Sequence, residues 1–200
     1  GKVEVNGAAK TSVLEATGNI TAGQSIIQLA STPVGWNVGD SIIIAGTSSD
    51  ANEDETRTIL AINGNQVTVA PLAYDHLTPA ANLNVHVANL TRNVVFESEG
   101  TDVDRRGHTM FMHNRDAHVA NAAFNQLGRT DKSIWINDSV VDDNWQLVAG
   151  TGTNQRARYS VHFHRNGTLA DGNPSTISGS VVNDSPGWGF TNHSSYVDMT

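Results

Sequence analysis

The amino-acid sequence predicts an all-β protein, and three observations lead there. Asn, Thr, Ser and Gly supply 73 of its 200 residues. The first three of these side chains compete for nearby backbone hydrogen bonds, and Gly has a high backbone entropy, so the mixture disfavours helices and suits turns. The apolar residues fall in short runs rich in Val and Ile, as in strands. No stretch rich in Ala, Glu, Lys and Leu carries a helical apolar stripe.

The elements follow in order. Residues 25–29 (SIIQL) and 40–45 (DSIIIA) read as buried strands. Residues 60–62 run into Asn63-Gly64, a favoured hairpin turn, and 66–70 (QVTVA) answer them. Strands at 85–87 and 93–96 complete a small antiparallel β unit over residues 1–93. The second half, 94–200, changes character. Short strands at 93–97, 110–113, 117–124, 159–164, 177–182 and 189–192 alternate with Asn, Gly, Asp and Ser at rung-like spacing. A longer interval, 129–157, interrupts the series and reads as a loop excursion; loops of that length are often functional.

Composition narrows the function. Twenty acidic against 12 basic residues give a net charge of −8, which speaks against nucleic acid as a partner. No apolar run approaches the length of a membrane span. The absence of cysteine rules out disulfides and thiolate metal sites, so any metal must rely on His and carboxylates.

Several strings, taken in order, resemble a known family. GWNVGDSIIIAGT (35–47), then Glu53, Glu55 and Arg57, then NGNQVTVAPLAYDH (63–76) are similar to the G8 domain. LTRNVVFESEG (90–100), RRGHTMFMH (105–113), LGRTDKS (127–133) and RYSVHFHR (158–165) resemble the segment that follows G8 in the cell-surface hyaluronidase and hyaluronan-depolymerising proteins and in bacterial secreted relatives. The resemblance implies a G8-like unit leading into a right-handed parallel β-helix of the pectin-lyase-like kind. It also implies a secreted or cell-surface location and a polysaccharide partner. Such solenoids normally continue beyond GWGFTNHSS (187–195), so further rungs or domains of the same chain are expected.

The chemistry-bearing residues concentrate in the second half. In a strand, side chains alternate faces. With Val161 and Phe163 inward, His162 and His164 are expected to stand together outside, about 7 Å apart along the strand. Flanked by Arg158 and Arg165, they suit an acid/base pair acting on an acidic sugar, and these four are the candidate catalytic residues. Stacking of rungs brings remote residues into columns, so His108 is expected to join His162 and His164 in a metal site, with zinc or calcium as candidate ions; His193 extends the same column. Arg105, Arg106, Trp135 and Trp145 are candidate substrate-binding residues, the tryptophans as stacking platforms. Trp36 and Trp188 read as packing residues. Asp131, between Arg129 and Lys132, reads as a surface salt bridge, and the acidic stretch 50–55 (DANEDE) as a solvated turn. His76, His86 and His118 read as loop or sheet-surface residues.

Two functions fit this pattern: an extracellular polysaccharide-binding protein that depolymerises its ligand by hydrolysis or elimination, and a structural or adhesive β-solenoid module without an active site. The first is the reading adopted and the second the alternative; between hydrolysis and elimination the sequence does not choose.

Overall fold

A computed structural model describes residues 1–78 and 80–200. They contain strands and two three-residue helical turns, Val103–Arg105 and Leu169–Asp171, with no α-helix among the described residues. The chain divides into two compact units, residues 8–91 and residues 1–7 with 92–200. In chain order the strands open with β1 (Val3–Asn6), β2 (Val13–Glu15), β3 (Ile26–Gln28), β4 (Ser41–Ile44), β5 (Glu55–Thr58), β6 (Ala61–Asn63), β7 (Gln66–Thr68) and β8 (His86–Asn89).

In the unit 8–91 every pairing is antiparallel. One sheet has the order β2-β8-β4-β5 and the other β3-β7-β6. The hairpin expected at Asn63-Gly64 joins β6 to β7, with Asn63 opposite Gln66. Gly64 has φ of 60°, the left-handed conformation that such a turn requires. Alternation along SIII sends Ile42 and Ile44 fully into a core that also holds Ile27, Leu29, Val67 and Val87. Trp36 packs there, and its ring N–H donates to the Thr11 carbonyl at 2.7 Å.

The other unit holds β1 and β9 (Val94–Glu97), β10 (Thr109–Met112), β11 (Ala117–Ala120), β12 (Ala122–Asn125), β13 (Val161–His164), β14 (Ser175–Ser178), β15 (Val181–Asn183), β16 (Phe190–His193) and β17 (Val197–Met199). These strands pair in parallel, in three sheets: β9-β12-β15, β10-β13-β16 and β1-β11-β14-β17. The chain therefore visits the three sheets in the same order three times. Each new strand lies beside the strand one circuit earlier. Residues 1–7, read from sequence with the first unit, contribute β1 here instead, because Val3–Asn6 pair with Ala117–Ala120.

Register turns sequence into inward columns. Phe124 lies over Phe96 with ring centroids 4.9 Å apart, and Phe163 over Phe111 at 4.8 Å, the spacing of adjacent strands. Val119, Val161 and Ile177 fill the space between them. Corners also stack. His113, Arg165 and Ser194, each just after a strand of one sheet, share a left-handed backbone, and so do Gln126 and Asp184. The His113 and Arg165 amides donate to the His164 and His193 carbonyls, carrying the ladder through the corner.

Between β12 and β13 the chain leaves the sheets. The excursion is pinned at its stem by Asn154, which is 3% exposed. Its amide donates to the carbonyls of Asp131 and Trp135, and its carbonyl oxygen accepts from the Asp131 amide. Thr130 adds a bond from its hydroxyl to the Gln155 carbonyl at 2.7 Å.

Candidate functional site

The outward face of the β10-β13-β16 sheet gathers the histidines. Phe163 points inward, so its neighbours His162 and His164 point away from the core, as alternation requires. Parallel register then decides what lies beside them. Met112, His164 and His193 form one column; Met110, His162 and Thr191 form the next. One nitrogen from each of His162, His164 and His193 lies within 4.8 Å of the others. His108 is not part of this group. It precedes β10 by one residue, and the register places Met110 and Met112, not His108, alongside the histidines of β13.

His164 and His193 stack, with ring centroids 4.8 Å apart and an interplanar angle of 9°, and their Nδ1 atoms approach to 2.9 Å. His162 meets His164 edge-on at 5.4 Å. Of the two imidazoles expected to be exposed, His164 is half-exposed. His162 is 3% exposed, because Tyr159 packs edge-on against it and the chain returns over it at Ala157. Its Nδ1 lies 3.2 Å from the Ala157 carbonyl, which fixes the proton there. Its Nε2 is buried and has no hydrogen-bond partner among the described residues.

The surroundings lower the pKa of His162, His164 and His108. Burial pushes the His162 pKa down, opposed by its bond to Ala157, and the neighbouring His193 adds to the lowering. Burial also leads for His164, followed by His193, His162, Arg165 and His113. His108 is lowered by burial, then by the charges of Arg129 and Arg158 and by His162. Neutral imidazoles offer lone pairs, so the arrangement can accept protons, hydrogen bonds or a metal.

An aromatic wall continues from the histidines. Tyr159 lies 5.1 Å from Trp188, and the Lys132 ammonium sits 4.6 Å from the Trp188 ring centre. Trp188, read from sequence as a packing residue, is 54% exposed. Sequence reasoning had no signal for this wall: Tyr159 and Trp188 are 29 positions apart and meet only through the register of β13 and β16.

The remaining candidates scatter. Arg158 is half-buried; its Nε lacks a partner among the described residues, and its terminal nitrogen reaches the Gln155 side chain at 3.3 Å. Arg165 is exposed at the corner after β13, and Arg105 is exposed in the first helical turn. Arg106 is not open to substrate. It is 5% exposed and donates to the Thr101 carbonyl and to the Asp184 carbonyl and carboxylate at 2.7–3.0 Å. Trp135 and Trp145 are 94% and 82% exposed in the excursion. Asp102, Asp104, Arg129 and Asp131 line an open cleft of about 360 Å³. Asp131 accepts from the amide and hydroxyl of Ser133 instead of pairing with its basic neighbours.

Two readings of the first half also change. Glu55 is not in a solvated turn: it is 3% exposed and accepts from the Ala73 and Tyr74 amides, the His76 ring and Arg57. His76, expected at the surface, is fully buried against it.

No family model matches the chain. It is similar to a G8 domain-containing protein of Dictyostelium discoideum, with 26% identity over 140 residues, 68% of this chain. The chain spans 8% of that protein's length. Among solved structures, the tailspike gp49 of Pseudomonas phage LKA1 aligns at TM-score 0.35 and 17% identity over 89% of this chain and 26% of its own. The gp54 tailspike of Acinetobacter baumannii bacteriophage AP22, solved with a capsular saccharide, aligns at 0.33 and 15% over 89% and 32%.

Proposed function

We propose that the chain is a G8-like β unit joined to coils of a right-handed parallel β-helix, within a secreted or surface protein that binds a polysaccharide. The observation that carries the binding role is the outward group of Trp188, His164 and His193, exposed or half-exposed over the buried rings of Tyr159 and His162 and edged by Lys132 and Arg165. Aromatic faces suit the apolar faces of sugar rings, and the cations suit a uronate or another acidic substituent. The ordered resemblance to G8 proteins and the G8 name of the Dictyostelium relative support the extracellular assignment.

Binding fits the site better than hydrolysis. Cleavage by water normally uses two carboxylates across the scissile bond, and no acid joins the histidine group among the described residues. Asp171 instead accepts from Thr168 and pairs with Arg115, and Asp116 contacts His118. Elimination from a uronate would need only a base and a cation, which His164 and Arg165 supply.

The test is direct binding of hyaluronan oligosaccharides, with a neutral glucan for comparison, to the whole chain and to Trp188→Ala. The expected result is preference for the acidic glycan and a loss of about tenfold in the variant, the scale of one aromatic contact. Equal binding by wild type and variant would overturn the assignment of this face. Formation of an unsaturated product would replace binding with elimination.

A further inference from the structure

We propose that His162, His164 and His193 form a binding site for one borderline divalent cation of the zinc type. Three independent features of the face converge on this. A nitrogen from each ring lies within 4.8 Å of the others. Tetrahedral zinc, with Zn–N bonds of about 2.0–2.1 Å, needs ligand nitrogens about 3.3 Å apart. The 2.9 Å between His164 and His193 and the 4.8 Å limit for the trio bracket that value, so small side-chain rotations close the site.

The second feature is the orphaned nitrogen. His162 commits Nδ1 to the Ala157 carbonyl, and this leaves Nε2 as a bare lone pair, buried without a partner among the described residues. A lone pair removed from water without a bond is costly, and a metal relieves that cost. A backbone carbonyl holding the distal N–H is also the usual outer support of a metal-bound imidazole, fixing both tautomer and ring angle. The third feature is the His164–His193 contact. Of two Nδ1 atoms 2.9 Å apart only one can donate to the other, whereas a shared cation takes a lone pair from both.

The donor set selects the ion. Three imidazoles with no carboxylate in the group suit zinc, nickel, cobalt or copper; calcium and magnesium want oxygen. Calcium, a candidate from sequence, therefore does not fit here. His193 is exposed, so the fourth position is accessible to water or to a ligand. Parallel register builds the site: two ligands come from alternate positions of β13 and the third from the neighbouring coil beside His164.

The experiment is titration calorimetry of the whole chain, produced without a polyhistidine tag and stripped by chelator, with zinc chloride and separately with calcium chloride. One zinc per chain and no calcium binding are expected. His193→Ala and His164→Ala alter exposed or half-exposed side chains and should leave the circular dichroism unchanged. Each should weaken zinc by more than the roughly 10–100-fold seen when only an outer supporting group is lost. His86→Ala, an exposed histidine of the other unit, should bind as wild type. Absence of stoichiometric zinc, or zinc affinity unchanged in both strand variants, overturns the proposal. No sugar enters the measurement, so its result is separate from that of the glycan assay.

Discussion

The strongest test of the energetics is Glu55→Gln, which changes charge at nearly constant shape. The Glu55 carboxylate is 3% exposed and meets four donors. One oxygen accepts from the Tyr74 amide at 2.8 Å and lies 3.1 Å from the His76 ring; the other accepts from Arg57; the Ala73 amide reaches both at 2.9–3.0 Å. Glutamine keeps one acceptor oxygen and turns an NH2 group toward the remaining donors. A bond to a charged acceptor is worth about 1.5–3 kcal/mol, and an orphaned buried donor costs about 1–3 kcal/mol. Arg57 is partly exposed and can turn to water, which removes its share of the penalty. The expected loss is therefore about 2–3 kcal/mol, below the roughly 3–5 kcal/mol for breaking a fully buried ion pair. Native-state hydrogen exchange reads it locally: amides of β4, β5 and β8 should lose protection, while β12 and β13 in the other unit keep theirs. A variant within about 0.5 kcal/mol of wild type, the range of ordinary surface changes, would refute the view that this carboxylate holds the unit together.

Three further outcomes follow from the same geometry. Phe163→Ala empties a fully buried position stacked on Phe111 and should cost about 3–5 kcal/mol in urea denaturation. Arg106→Ala should lower the thermal midpoint of the unit containing 92–200 and leave glycan affinity per folded molecule unchanged, because its guanidinium is spent on Thr101 and Asp184. Acid should loosen the unit 8–91 in a narrow window. Burial opposes ionisation of Asp40 and Glu55, but Lys10, Asn37 and Asn89 around the first and Ala73, Tyr74, His76 and Arg57 around the second outweigh it and hold both below their ordinary 3.8 and 4.5. Their stabilisation is complete above those values and is lost as pH falls through the lowered ones. Exchange protection of 8–91 should thus be insensitive to these two groups between about pH 7 and 5 and fall below about 4.5.

Much of the fold is legible along the chain. SIII at Ser41–Ile44 alternates as a strand must, and Asn63-Gly64 forces a turn that only a hairpin uses. VHFH at Val161–His164 declares which side chains face inward, because period two leaves no other choice. Covering is different. His162 and His164 share a parity yet differ in exposure, since Ala157 and Tyr159 close over one and not the other. Arg106 and Glu55 look like surface charges in sequence, and both are buried by partners 78 and 18–21 positions away.

The sequence by itself determined the strand content, the antiparallel first half, the inward and outward faces of β13 and the lack of thiolate ligands. These rest on local properties: backbone propensity, side-chain alternation and composition. Only the tertiary structure decided that His193 and not His108 completes the histidine group, that Trp188 flanks it, and that β1 belongs with the parallel sheets. Those depend on which residue one strand sets beside another, and the chain between β12 and β13 is long enough that counting along the sequence loses the register. The backbone hydrogen bonds of Val161–His164 with Phe190–His193 restore it, and they place the third imidazole beside the second.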